Sequence, residues 1–318
     1  MSIKFLNLDK TLPVEKIRST RPTGYKFPIG LGSRLISFEV NAATVATGGT
    51  QIIDGDNTVH TFTTSGFFEP NFIGNGEYLI VAAGAAGGTG DGTGGGGGAG
   101  GLIYGSDYSF SPTSNVVIIV GAGGSGQISG RGSNGTNSSI GTTGVPSSNV
   151  EATGGGGGGG GPGVYMGFSG GSGGGAGCTR DSVIRSGNSG TPGQGYPGGN
   201  SRHIDNSFEA SGGGGGAGGA GANFTSPGIG GRGGYGLFYS ISGANTGYAG
   251  GGAGNGNAGS PAHNPIYGGG IGPSAGVANR GGGGGGRLNA SGIAGGSGIV
   301  ILRFATTQGE NEAEYSIN

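Results

Sequence analysis

The residues that most often carry metal chemistry are few in this chain and lie far apart. Its three histidines, His60, His203 and His263, have no second ligand at the spacing that a metal site needs. Asp54-Gly55-Asp56 resembles the start of a calcium loop, but the further oxygen ligands are missing at the required positions. The sequence therefore predicts no metal site, a turn at Asp54-Gly55-Asp56 and a structural role for His60.

Groups that could support catalysis are equally scattered. Asp181 and Glu209 are in different loops, and no pattern brings them together as an acid-base pair. Cys178 is the only cysteine, which excludes an intrachain disulfide and a CxxC zinc site. Matches to GxGxxG follow from the abundance of glycine, and the helical periodicity of a dinucleotide-binding fold is missing. The sequence predicts a protein that is not an enzyme and uses no cofactor.

Recognition is the chemistry that remains. Loops on a rigid scaffold commonly carry binding function, and the loops between the glycine runs contain aromatic and charged side chains. Aromatic rings can stack on sugars, while arginine and histidine can bond sugar hydroxyls or phosphate. Alternatively, the aromatic rings cap the ends of the glycine-rich scaffold and the arginines are merely solvated. The candidate receptor-binding residues are Tyr165, Phe168, Arg180, Arg185, Arg202, His203 and Phe208.

Glycine must supply the scaffold that positions these loops. The chain has 91 glycines and only 13 prolines, with unbroken runs at 94–98, 154–161, 212–216 and 281–286. Collagen needs glycine at every third position with abundant proline, which excludes it. A silk-like or flexible linker would not place aromatic residues between the runs. We predict an all-β or irregular fold with almost no α-helix, in which a small β-sheet accompanies a lattice of polyglycine-II helices bonded through their main chains.

Short apolar segments predict the strands. Ile36, Phe38 and Val40 alternate with polar residues, and Val59 to Thr64 alternates similarly, which indicates an antiparallel hairpin. Continuous apolar runs indicate strands that are covered on both faces. Three such runs are expected to pair with one another: Tyr78–Ala83, Val116–Val120 and Ile299–Phe304.

Charge divides the chain unevenly. Residues 1–34 carry seven basic and two acidic residues, a net charge of +5, whereas the remainder carries −6. The overall net charge of −1 argues against nucleic acid as a partner. We predict a basic attachment arm (1–34), a β-hairpin region (35–77), a glycine-rich polyglycine-II domain (78–304) and an acidic tail (305–318). The candidate anchoring residues of the arm are Lys4, Lys10, Lys16, Arg18 and Arg21.

The sequence also bears on where the protein is made. No apolar segment typical of a signal peptide precedes Pro13, and no stretch approaches the ~18 apolar residues of a membrane span. The expectation is synthesis in a cytoplasm without export by the ordinary route.

Two segments resemble a known family. Ala46-Thr47-Gly48-Gly49, followed by residues 58–67 and by Tyr78-Leu79-Ile80-Val81-Ala82-Ala83-Gly84, resembles the opening of a glycine-rich domain of virion and tail-fibre proteins of tailed bacteriophages. Residues 295–304 are similar to the terminal strand of that domain. The resemblance implies polyglycine-II packing and a virion-surface or host-recognition role.

Three functions follow as hypotheses. The first is a virion structural protein, a tail-fibre or surface-fibre component at the virion surface that mediates host recognition. Its expected partners are other virion proteins through the arm, a host cell-surface glycan or outer-membrane protein, and further copies of the chain in a homo-oligomer. The second is a purely structural filament, capsid or tail decoration subunit without receptor binding. The third is an ice-binding protein, which the scattered threonines disfavour.

Overall fold

A computed structural model describes residues 46–89, 92–142, 144–161, 163–178, 181, 183–203, 209–224, 228–257, 267–272 and 274–306. The chain divides after Ala42 into two units, and all of these residues belong to the second, Ala43–Asn318. They form strands and extended segments with no α-helix among them, which confirms the predicted fold class. The predicted strand at residues 36–40 and the attachment arm lie outside the described residues, as does the acidic tail from residue 307.

Thirteen strands occur in the described part of the chain. They are β1 (Thr50–Asp54), β2 (Asn57–Phe62), β3 (Gly66–Phe68), β4 (Gly74–Val81), β5 (Leu102–Phe110), β6 (Val116–Ile119), β7 (Ser138–Thr142), β8 (Val145–Ala152), β9 (Arg202–His203), β10 (Glu209–Ala210), β11 (Leu237–Tyr239), β12 (Thr246–Tyr248) and β13 (Ile299–Ala305).

Five strands form an antiparallel sheet in the order β1-β2-β13-β4-β5. Its central strand, β13, pairs with β2 on one side and with β4 on the other, so that Ile299 lies opposite Val81. This pairing confirms the predicted closure between the first and last apolar runs. The segment predicted at Val59–Thr64 forms β2. Its hairpin partner among the described residues is β1, which was not predicted as a strand from the sequence, and the two are joined at a two-residue turn, Gly55-Asp56.

The expectation for Val116–Val120 was wrong in two respects. This run forms β6, which pairs with β3 and β7 in a separate four-stranded sheet in the order β3-β6-β7-β8. It is also covered on one face only, because Val116 and Ile118 are buried whereas Ile119 is 47% exposed. The buried face of β6 packs against the first sheet through its side chains. An apolar run in a sequence is equally consistent with a strand that packs on a sheet and with a strand that is hydrogen-bonded within that sheet.

Two cores explain why β13 is apolar on both faces from Ile299 to Leu302. Val300, Leu302 and Phe304 point into a core that lies between the two sheets and also contains Val116 and Ile118. Ile299 and Ile301 point to the opposite face, into a core closed by the hairpin of β11 and β12 and the loop between them. Successive side chains of a strand alternate between faces, so a strand covered on both sides needs apolar residues at every position.

The glycine-rich segments form a hydrogen-bonded lattice around residues 94–101. The amides of these eight residues donate, in chain order, to the carbonyl oxygens of Arg287, Gly159, Gly212, Gly284, Gly156, Gly215, Gly281 and Thr153, over N···O distances of 2.8–3.0 Å. The acceptors repeat every three residues among three neighbouring segments. That period, with no positive φ in the segment, is the geometry of a left-handed polyproline-II helix.

Carbonyl oxygens complete the bonding of this central helix. Those of Gly95, Gly98 and Gly101 accept from the segment at 82–88, again at intervals of three residues. Further carbonyls of the helix accept from the segments at 172–175 and 252–255. The central helix therefore donates to three neighbours and accepts from three others, which satisfies buried main-chain groups that have no bonds within their own segment.

Glycine is required in this helix by the approach of neighbouring main chains. A Cβ atom added at Gly97 would lie 2.7 Å from the carbonyl oxygen of Ala86, and closer still to that of Ala85. Alanine occurs in the lattice where there is room, for example at Ala99, which packs into the core beneath β11 and β12. The spacing between helices thus selects the residue type at each position.

We expect the buried His60 ring to make the stability of the fold dependent on pH. Its ring is buried in β2 between Phe68 and Phe304, with Nδ1 2.6 Å from the carbonyl oxygen of Gly48 and with Nε2 lacking a hydrogen-bond partner among the described residues. Burial lowers the pKa of His60 below its ordinary value of 6.5, because a charged ring would lose its hydration.

Acidification should therefore destabilise the protein through His60. The unfolded chain binds a proton at this histidine more readily, so the free energy of unfolding should fall as pH drops below about 6.5, by up to about 1.4 kcal/mol per pH unit, until the pKa of the folded state is reached. Urea unfolding between pH 7.5 and 5 measures this slope. His60→Phe should give a flatter profile, and identical slopes for the two proteins would contradict the assignment.

Candidate functional site

The segment at 165–168 lies along the lattice and fixes two of the candidate aromatic residues. The amide of Phe168 donates to Gly157 O at 2.8 Å, and the carbonyl oxygens of Tyr165 and Phe168 accept from Gly177 and Gly174 at 2.7 and 3.0 Å. The two residues are three positions apart, which is one turn of a polyproline-II helix, so they occupy the same edge. Main-chain hydrogen bonds to the lattice therefore fix the backbone positions from which the two aromatic rings project.

Tyr165 is paired with a second candidate residue, Arg185. The guanidinium carbon lies 3.8 Å from the centre of the Tyr165 ring, in a cation–π contact. The same guanidinium binds both carboxylate oxygens of Asp181, and its Nη1 lies 2.9 Å from Oδ1. This hydrogen bonding lowers the pKa of Asp181 to about 2. The charge of Arg185 is thus balanced within the protein, and one face of Tyr165 is covered.

An arginine that is not among the predicted binding residues lies over the ring of Phe168. The guanidinium carbon of Arg131 lies 4.8 Å from the ring centre, while Phe168 remains 39% exposed. Among the described residues, Arg131 forms no ion pair with a carboxylate. Its Nε is buried and has no hydrogen-bond partner among them. Its 37-residue separation from Phe168 gave no sequence signal, because only the lattice brings the two segments together.

The remaining candidate residues have different surroundings. Arg202 is exposed in β9, next to the bridge between Arg185 and Ser201. His203 is buried at 5% exposure and lies opposite Glu209 in the pairing of β9 with β10, so a receptor could not reach it without rearrangement. Arg180 and Phe208 lie outside the described residues. The structure therefore brings Tyr165 and Arg185 together and places Arg202 directly after Ser201, which forms the β-bridge to Arg185.

Buried polar groups near this region serve the lattice. The hydroxyls of Ser201 and Ser211 donate to the carbonyl oxygens of Gly177 and Thr93 at 2.7 and 2.5 Å. Burial raises the pKa of Cys178 to about 11, which leaves a protonated, unreactive thiol near neutral pH. No group of three or more His, Cys, Asp or Glu residues suited to a metal ion occurs in the described ranges. Nor do those ranges include a helix with the length and apolar character to cross a membrane.

A second group of aromatic residues lies at the surface. Tyr267 contacts both Tyr235 and Phe238, with ring centres 5.8 and 5.0 Å apart. Tyr235 is 61% exposed and Phe238 44% exposed. Within the described residues, no charged side chain lies over these rings, and arginine is paired with an aromatic ring only at Phe168 and Tyr165.

Comparison with known proteins places the chain in a family. A comparison with curated proteins finds no match. The model of the glycine-rich domain family matches residues 42–305, a span that contains all thirteen strands and the lattice. The match covers far more than half of the 318 residues, so the chain belongs to the glycine-rich domain family.

Proposed function

We propose that this protein is a non-enzymatic component of a bacteriophage virion, a tail-fibre or surface-fibre protein that recognises the host surface. The likeness of its opening and closing segments to phage glycine-rich domains supports the proposal, and so does its membership of the glycine-rich domain family. A lattice whose main-chain groups are bonded in several directions is a rigid support for a binding surface.

The observation that carries the proposal is the pairing of Arg131 with Phe168. A half-exposed aromatic ring offers a face or edge for stacking against a sugar ring. The Arg131 guanidinium has no carboxylate partner among the described residues, and such a group can bind a phosphate or carboxylate group of a glycan by charge-assisted hydrogen bonds. Arg185 is less suited to that role because its guanidinium already forms an ion pair with Asp181. Its contact with Tyr165 holds the two side chains together at the surface.

Binding to bacterial surfaces tests this function. The full chain is incubated with a panel of intact bacterial strains and with their purified lipopolysaccharide, and the bound fraction is measured. We expect binding to at least one strain, with a loss of at least about tenfold in affinity for Phe168→Ala and Arg131→Gln. Arg232→Gln, which removes an exposed arginine elsewhere, should bind normally.

The same experiment separates host recognition from a purely structural role. Incorporation into particles without binding to any strain would favour the structural filament or decoration subunit. Equal binding by Arg131→Gln and Arg232→Gln would remove Arg131 from the receptor site.

We also propose that the basic arm attaches the protein to other virion proteins. Deleting residues 1–34 should leave a soluble, folded glycine-rich domain that no longer enters particles. Exchanging Lys4, Lys10, Lys16 and Arg18 for glutamate should weaken incorporation in a salt-dependent manner, because exposed charges are screened over about 8–10 Å. Particle composition, measured after complementation with each variant, checks this. Normal incorporation of the truncated chain would show that attachment lies elsewhere.

A further inference from the structure

The outer edge of the five-stranded sheet is the feature that suggests a further partner. β1 is the terminal strand of that sheet and pairs only with β2 in the described part of the chain. The two-residue turn makes Asp54 and Asn57 a hydrogen-bonded pair, and such pairs alternate along an antiparallel ladder. The main-chain groups of Thr50, Ile52 and Asp54 therefore face β2, whereas those of Gln51 and Ile53 face outward.

Within the described residues, this edge lacks the features that usually prevent strand addition. β1 contains no lysine or proline, and its pairing with β2 runs without a bulge. Its two isoleucines lie on opposite faces of the strand and are exposed to solvent, Ile52 by 45% and Ile53 by 59%. An exposed apolar edge with unpaired main-chain groups is a template for another strand.

We propose that β1 pairs antiparallel with β1 of a second copy of the chain, about a twofold axis through Ile52. In this register Gln51 of each copy lies opposite Ile53 of the other, so the outward main-chain groups of both strands meet as hydrogen-bonded pairs. Ile52 lies opposite itself as a non-hydrogen-bonded pair.

Charge agrees with this register. It sets Asp54 opposite the uncharged Thr50 of the other copy, so the two Asp54 carboxylates do not face each other. Each carboxylate also keeps its ion pair with Arg303 of its own chain, at 3.3 Å. The isologous contact would join the two five-stranded sheets into one continuous sheet. The proposal identifies a surface for self-association and does not depend on a receptor role.

Disulfide cross-linking tests the register directly. Non-hydrogen-bonded pairs have Cα atoms about 4.5 Å apart, within the range of a disulfide, so Ile52→Cys should form a covalent dimer under mild oxidation. Ile53→Cys is the matched control, because in this register its two copies are more than about 7 Å apart and cannot be bridged. The native thiol, Cys178, is fully buried and should not contribute.

Light scattering of the full chain gives the second measurement. We expect twice the 30.1 kDa mass of the chain for the wild type, and the single mass for Ile53→Pro, which removes an outward amide without breaking a bond to β2. Ile53→Lys serves the same purpose if the proline variant does not fold. A monomer at every concentration, an unchanged mass for both Ile53 variants, or equal cross-linking of the two cysteine variants would overturn the proposal. Those outcomes would leave the host-binding experiment unaffected.

Discussion

Replacing Gly97 with alanine is expected to lower the free energy of unfolding by about 3 kcal/mol, a large effect for the addition of one methyl group. The new Cβ would overlap the carbonyl oxygens of Ala85 and Ala86, and neither can rotate away because both belong to the main chain. Relief requires the central helix to move, which would strain the bonds from Gly97 to Gly284 and from Gly252 to Gly97. Urea unfolding followed by tyrosine fluorescence measures the loss, since the chain has 11 tyrosines and no tryptophan.

Gly219→Ala is the matched control for this substitution. A Cβ at Gly219 would lie 3.7 Å from its nearest neighbour, Cδ2 of Tyr235, which is an ordinary contact. This variant should have unchanged or slightly increased stability, because alanine restricts the unfolded chain more than glycine does. Equal stabilities for the two variants would show that close packing of main chains does not select glycine at Gly97.

Phe304→Ala should cost about 3–5 kcal/mol by opening a cavity between the two sheets. The Phe304 ring is 3% exposed and lies 4.6–5.9 Å, centre to centre, from His60, Phe68, Phe72 and Phe110. The residue also belongs to β13, which joins the two halves of the first sheet. Its removal therefore weakens the closure of the whole domain.

Phe67→Ala tests whether this cost comes from burial. Phe67 is in β3 and 57% exposed, so truncating its ring should change the free energy of unfolding by less than about 1 kcal/mol. Differential scanning calorimetry of both variants gives the comparison. A loss for Phe304→Ala no larger than that for Phe67→Ala would exclude the aromatic core as the main support of β13.

The composition of the chain predicts the lattice, but it does not predict which segments are hydrogen-bonded to each other. Runs without side chains can be ordered only through main-chain hydrogen bonds, and this condition led directly to polyglycine-II packing. Which segment bonds to which depends on small differences, such as the overlap that excludes a Cβ at Gly97 and the space that admits one at Ala99. No local pattern in the sequence encodes those distances.

The strands and the candidate site show the same limit. β13 and β4 were found because both faces of each are covered, but β6 has the same apolar composition with one open face. The residue types of Tyr165 and Arg185 make them candidates for binding, but no feature of the sequence predicts that the two side chains contact each other. Arg131 escaped notice because its partner, Phe168, is adjacent only through the packing of intervening glycine helices.

The threefold repeat of hydrogen bonds in residues 94–101 restricts how such a protein can change in length. Each amide faces a neighbour that is set by its position within a group of three. Inserting one or two residues would turn every later amide of that helix towards a different neighbouring segment, while inserting three would keep each amide facing the same segment and lengthen the helix by one turn. Insertions and deletions within the buried helices should therefore occur in multiples of three residues. Insertions and deletions of other lengths should be confined to the connecting loops.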